Sequence, residues 1–107
     1  MKQMSAQSLA PWLAEHEDAI LIDVRETHEL VNGMLDGAVH IPMNHIPGSI
    51  DELVAHKASP MVLICRSGYR SMQVGYFLEQ AGFTDIINLE DGMNGWAAKI
   101  DTNMKVY

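Results

Sequence analysis

Hydrophobic residues recur along the chain in short blocks of two kinds, and the two kinds alternate. Leu9, Trp12 and Leu13 fall at i, i+3 and i+4, one face of a helix, and predict a helix over Ser8–His16. Ala19-Ile20-Leu21-Ile22-Asp23-Val24 is a nearly continuous apolar run, typical of a strand buried on both faces. Glu26–Asn32 reads as helical, with Gly33 placed to stop it, and Ala38–Ile41 reads as a short strand closed by Pro42. Ser49-Ile50-Asp51-Glu52 has the spacing of a capping box and predicts another short helix. Pro60 precedes a second buried strand, Met61-Val62-Leu63-Ile64. Beyond the polar loop Cys65–Arg70, the residues Val74, Phe77, Leu78 and Ala81 form a helical stripe that Gly82 ends. Ile86-Ile87-Asn88-Leu89 reads as a last strand and Met93–Ile100 as a last helix.

Strand and helix blocks in alternation predict an α/β fold with a mainly parallel sheet. Such sheets place their sites at the carboxyl ends of the strands, and two strands here end in polar residues, Asp23-Val24-Arg25 and Cys65-Arg66. No repeat, linker or shift of composition divides the 107 residues, so 1–107 is read as a single domain.

Charge narrows the partners. With 14 acidic against 7 basic residues the chain carries a net charge of −7, which argues against nucleic acid or an anionic membrane surface. No apolar run approaches the ~18 residues of a membrane span. The start lacks the apolar segment of a secretory signal, and a single cysteine allows no internal disulfide, so the expectation is a cytoplasmic protein. The lysines are scattered, whereas Arg25, Arg66 and Arg70 all lie in the two strand-end motifs, which suggests a local anion site. His16, His28, His40, His45 and His56 show no metal-ligand spacing and no glycine-rich phosphate motif is present, so neither a metal nor a cofactor is expected. His40 reads as structural, the eight methionines as core filler, and Trp12 and Trp96 as helix anchors in the core.

The informative stretch is Cys65-Arg66-Ser67-Gly68-Tyr69-Arg70-Ser71, which leaves a buried strand and enters the strongest helix. Backbone N–H groups in such a loop can converge on one point beside a helix N-terminus, and Gly68 permits the tight turn this needs. A free cysteine with a pKa near 8.5 is only about 3% thiolate at pH 7, and helix N-termini with adjacent cations commonly favour the anion. Cys65 is therefore a candidate nucleophile; the alternative is a small apolar residue at a strand end. The loop by itself does not say what the nucleophile attacks.

Further residues carry a resemblance. Leu21-Ile22-Asp23-Val24-Arg25-Glu26, Gly37-Ala38-Val39-His40-Ile41-Pro42, the cysteine loop, Gly82-Phe83, and Leu89-Glu90-Asp91-Gly92 with Trp96 occur in the order found in single-domain rhodaneses, over about residues 4–100. The chain resembles that family, and the loop is the specific part of the match. The resemblance implies a rhodanese-like three-layer sandwich: a five-stranded parallel sheet with helices on both faces. It also implies a thiosulfate sulfurtransferase in which Cys65 carries a covalent persulfide. Cys65 to Arg70 spans six residues, the rhodanese length, whereas the related tyrosine phosphatases and arsenate reductases use seven. Two positions depart from the family: Met34 stands where histidine is usual, and Asp91-Gly92 replaces Gly-Gly.

The expected reaction is a two-step transfer from a small anionic sulfur donor to a thiol or cyanide, the acceptor thiol being small or on a protein. The loop from Arg66 to Ser71 would hold the persulfide. Arg66 and Arg70 would attract the donor, Arg70 by two parallel bonds, unless each is a surface ion pair. Ser67 and Ser71 can add hydroxyl bonds, with Ser71 alternatively a helix cap. Tyr69 would wall the pocket or select the acceptor. Asp23 and Arg25 either orient the loop from behind or form a structural pair. Two further readings stand beside the enzyme: a persulfide carrier that docks on a protein, and a cysteine-dependent phosphatase or arsenate reductase, which the short loop disfavours.

Overall fold

The computed structural model describes residues 1–107. Five parallel strands, β1 (Lys2–Met4), β2 (Ile20–Asp23), β3 (Val39–His40), β4 (Met61–Ile64) and β5 (Ile86–Leu89), lie in the order β1-β5-β4-β2-β3. Helices α1 (Ala6–Glu15) and α4 (Gly92–Lys99) cover one face. The short α2 (Ile50–Leu53), its flanking 3₁₀ turns and α3 (Tyr69–Gln80) cover the other. The expected three-layer α/β sandwich is thus present.

Side-chain alternation along β4 builds both cores. Met61, Leu63 and Cys65 point into the α3 layer, and Val62 and Ile64 into the α1/α4 layer. All four strand residues are buried because helical layers cover both faces of this central strand. β2 differs from expectation at its start: β3 pairs only with Ile22 and Asp23, so Ile20 and Leu21 stay half-buried.

Several local readings are corrected. β1 has no counterpart among the elements read from the hydrophobic pattern; Lys2 and Gln3 are exposed, and the strand exists through its register on Ile87–Leu89. Ser49 does not cap α2. A 3₁₀ turn (Pro47–Ser49) already precedes it, so Ser49 lacks extended backbone (φ −105°, ψ 0°), and its hydroxyl donates to the His45 carbonyl. The buried face of α3 is Ser71, Val74, Gly75 and Leu78, and Phe77 lies 42% exposed. Gly75 is there because Met1 and Ile86 press against the helix at that point. Trp96 is a core anchor, but Trp12 is half-buried and stacks on His16 at 4.0 Å.

No helix is long and apolar enough to cross a membrane.

Candidate active site

β4 delivers Cys65 to the carboxyl edge of the sheet, where the chain turns directly into α3. Gly68 makes that turn at φ +95°, a conformation only glycine adopts without strain, and a side chain there would collide with the Glu90 carbonyl. The turn points the Gly68 and Ser71 N–H groups at Cys65 Sγ, at 3.1 and 3.4 Å. The Ser71 hydroxyl lies 3.2 Å from the same sulfur. Cys65 is only 1% exposed, so the sulfur lies at the floor of the cradle.

A second loop clamps the first. The Met93 and Asn94 N–H groups at the start of α4 donate to the carbonyls of Cys65 and Arg66, at 2.8 and 3.0 Å. Gly92 (φ +63°) sits so close to Arg66 that any side chain would overlap its carbonyl. At the Asp91-Gly92 departure, the second position must therefore be glycine, while Asp91 points away from the loop. Asp91 Oδ1 accepts from the Ala6 N–H at the start of α1 (2.8 Å), and Oδ2 lies 3.7 Å from Lys99 Nζ.

The five buried polar or charged residues, Asp23, Arg25, Glu29, Ser71 and Asn88, all belong to this edge. Asp23 and Arg25 do share a side: Arg25 donates through Nε and Nη2 to the Asp23 carboxylate at 2.7–3.1 Å, both side chains fully buried. Its remaining donors reach the Gly33 carbonyl (2.8 Å) and the Tyr107 hydroxyl (3.1 Å). Burial works against the Arg25 charge, but Asp23 and Tyr107 more than offset it and hold the guanidinium above its ordinary value. The His40 ring bonds the Arg25 carbonyl at 2.7 Å.

Arg70 is placed differently from expectation. Its fork is not open to a donor anion, because both Nη atoms donate to the Glu29 carboxylate at 2.7 Å. Those bonds hold Glu29 down to about 2 against the opposing effect of burial, with the Glu26 N–H and the Tyr107 hydroxyl adding to them. Arg70 is raised in turn, first through Glu29, with the nearby cysteine contributing. Arg66 is exposed and rests against Tyr107, donating to its backbone oxygen with the guanidinium 5.0 Å from the ring. Ser67 is exposed on the outer lip, and Tyr69, 67% exposed, stands on the rim as the first residue of α3. Ser71 is not a helix cap: it lies fully buried against the sulfur, and Gly68 holds the cap position.

Three residues of the site escaped the sequence reading. Asn88, on β5, accepts from the Ser71 hydroxyl through Oδ1 and donates through Nδ2 to the Gly68 carbonyl (3.0 Å) and to Gln3 (2.8 Å). Its signal was an amide within an otherwise apolar strand run, Ile86-Ile87-Asn88-Leu89, where a buried polar group needs partners. Glu29 carried a weaker one, the Glu26/Glu29 spacing of a capping box. Tyr107 carried none; its phenol, pushed up by burial, joins Arg25 to Glu29.

Comparison with known proteins agrees with this geometry. A sequence profile of the Rhodanese-like domain matches residues 5–99. The chain is 42% identical over 96 residues to Bacillus subtilis YtwF, which carries a provisional sulfurtransferase name, covering 90% of each chain. It is 36% identical over 97 residues to a sulfurtransferase of Allochromatium vinosum, covering 91% of this chain and 89% of the other. Among solved structures, a rhodanese-like domain protein from Staphylococcus aureus superposes with a TM-score of 0.82 at 30% identity, covering 100% of this chain and 99% of the other. With the fold, the loop and these relatives in accord, the chain belongs to the rhodanese-like domain family.

Proposed function

We propose that the protein is a sulfurtransferase in which Cys65 accepts a sulfane sulfur from thiosulfate or a similar anionic donor and passes it to a thiol or cyanide. The observation that supports this best is the convergence of the Gly68 and Ser71 N–H groups on the sole cysteine sulfur, within a six-residue loop. In the first half-reaction the Cys65 thiolate attacks the outer sulfur of thiosulfate. A new S–S bond forms, the donor's S–S bond breaks, and sulfite leaves with the electron pair. In the second, an acceptor thiolate or cyanide attacks the terminal sulfur and the Cys65 thiolate departs. No general acid is needed, since sulfite and the Cys65 thiolate both depart as stable anions.

The arginines divide the work. Arg66, exposed at the mouth, draws in the anionic donor. Arg70, its charge countered by the Glu29 carboxylate, braces the first turn of α3 and does not reach for the donor. A cysteine residue only 1% exposed at the floor of the loop suits a slender donor that offers a terminal sulfur.

Intact mass after thiosulfate, and again after cyanide, tests the reading. One sulfur gained and then lost, with thiocyanate released and nothing gained by Cys65→Ser, is the expected result. A Cys65→Ser protein that still loads sulfur, or a wild-type protein that gains none, overturns it. Transfer to a protein thiol far faster than to cyanide would identify the carrier form of the same chemistry.

A further inference from the structure

We propose that Asn88 is a positioning residue that dictates where the Ser71 hydroxyl proton points and thereby disfavours the bare thiolate of Cys65 relative to its protonated and sulfur-loaded forms. The inference rests on Cys65 being the reacting sulfur.

Donor and acceptor counting carries the argument. Asn88 Nδ2 must face the Gly68 carbonyl, which only accepts, so the amide has one orientation and its Oδ1 faces Ser71. An amide oxygen only accepts, and serine has one hydroxyl proton, so that proton belongs to Asn88 in the arrangement seen. Ser71 then turns a lone pair toward Cys65 Sγ, 3.2 Å away. A thiol completes the chain: S–H donates to Ser71, and Ser71 donates to Asn88. A sulfur carrying a second sulfur is also compatible, because the inner atom is neutral and the charge lies on the terminal one. A thiolate is not, since a lone pair would face the anion. The hydroxyl then swings to the sulfur and leaves Asn88 Oδ1 buried without a donor. Forming the S–S bond restores the proton to Asn88, so loading is assisted and unloading opposed. Asn88 at the same time ties the Gly68 carbonyl, which steadies the N–H groups aimed at the sulfur.

The charged groups around Cys65 are Arg66 and Arg70 on its own loop and helix, Glu29 bonded to Arg70, the Asp23–Arg25 pair beside the end of β4, and Glu90 after β5. All remain in the variants below.

The test is the pH profile of Cys65 alkylation by iodoacetamide in wild type, Asn88→Leu and Ser71→Ala. Asn88→Leu keeps the volume and releases the Ser71 proton to the sulfur. The midpoint is expected to fall by about one pH unit, a tenfold gain in thiolate on the acid side. A purely structural role predicts the reverse, because a loosened loop withdraws the N–H groups and raises the midpoint. An unmoved or raised midpoint overturns the proposal, as does an equal fall when Asn88→Leu is placed in a Ser71→Ala background. Should Asn88→Leu not fold, the Asn88 side-chain amide resonances in the wild type decide. They must titrate together with the Cys65 thiol and cease to do so in Ser71→Ala, and failure of either overturns the idea. Sulfur uptake from thiosulfate, read by mass on the same samples, separates the two readings. Normal loading with unmoved midpoints refutes the role of Asn88 alone, and no loading by wild type refutes sulfur transfer.

Discussion

Glu29 accepts four hydrogen bonds: two from Arg70, one from the Tyr107 hydroxyl and one from the Glu26 N–H. Glu29→Gln replaces one of those oxygens with an NH₂ group that faces donors, and removes the charge opposite Arg70. The carboxyl is held at about 2 from an ordinary 4.5, which corresponds to roughly 3 kcal/mol of folding free energy at neutral pH. Arg70 is 31% exposed against 9% for Glu29, so solvent screens part of the pair, and about 2 kcal/mol is the expected loss. The pH dependence has a definite sign. A carboxyl with a lowered folded-state pKa stabilises fully above the unfolded value and loses that contribution as pH falls from about 5 toward 2. Urea denaturation followed by tryptophan fluorescence, at intervals between pH 7 and pH 2.5, should therefore show a wild-type advantage that is flat at neutral pH and shrinks across the acid range. Equal stability at pH 7, or an advantage that persists unchanged to pH 2.5, would refute the assignment of Glu29 as the anchor of Arg70.

Other substitutions test neighbouring contacts. Arg25→Met leaves the fully buried Asp23 carboxylate unpaired and should cost about 3–5 kcal/mol in the same urea experiment, whereas a loss under 1 kcal/mol would mean that Asp23 finds another partner. Gly68→Ala forces a side chain into a left-handed turn and onto the Glu90 carbonyl; sulfur loading should be lost even where far-UV circular dichroism shows the fold retained, and normal loading would contradict the cradle geometry. Asp91→Ala removes the acceptor of the Ala6 N–H at the start of α1 and should destabilise by about 1 kcal/mol with loading unchanged, so an equally stable variant would deny Asp91 its capping role.

What could be read from the sequence follows the physics of burial. β4 and β5 are apolar throughout or nearly so, and their limits in the structure match the runs Met61–Ile64 and Ile86–Leu89. β1 was not readable because two of its three residues face solvent and its pairing partner lies more than 80 residues away. Phe77 misled because periodicity locates a stripe but not its width, and the buried face is Ser71, Val74, Gly75 and Leu78 instead. At the site, the residues whose chemistry is local to the loop, Cys65, Gly68 and Ser71, were recognisable from their spacing. Those that act across the sheet were not. Glu29 reaches Arg70 over 41 positions and Tyr107 reaches Glu29 over 78, and nothing in a linear pattern encodes such distances.

The clamp between the cysteine loop and the start of α4 bears on the size of the loop. Because Met93 and Asn94 take the Cys65 and Arg66 carbonyls, and Gly92 leaves no gap against Arg66, the cradle cannot be enlarged on its own. Inserting a residue between Cys65 and Arg70 would push backbone into a turn with no slack. Widening the loop for a tetrahedral oxyanion therefore disturbs both turns at once, the Cys65 and Arg66 carbonyls on one side and Gly92 to Asn94 on the other.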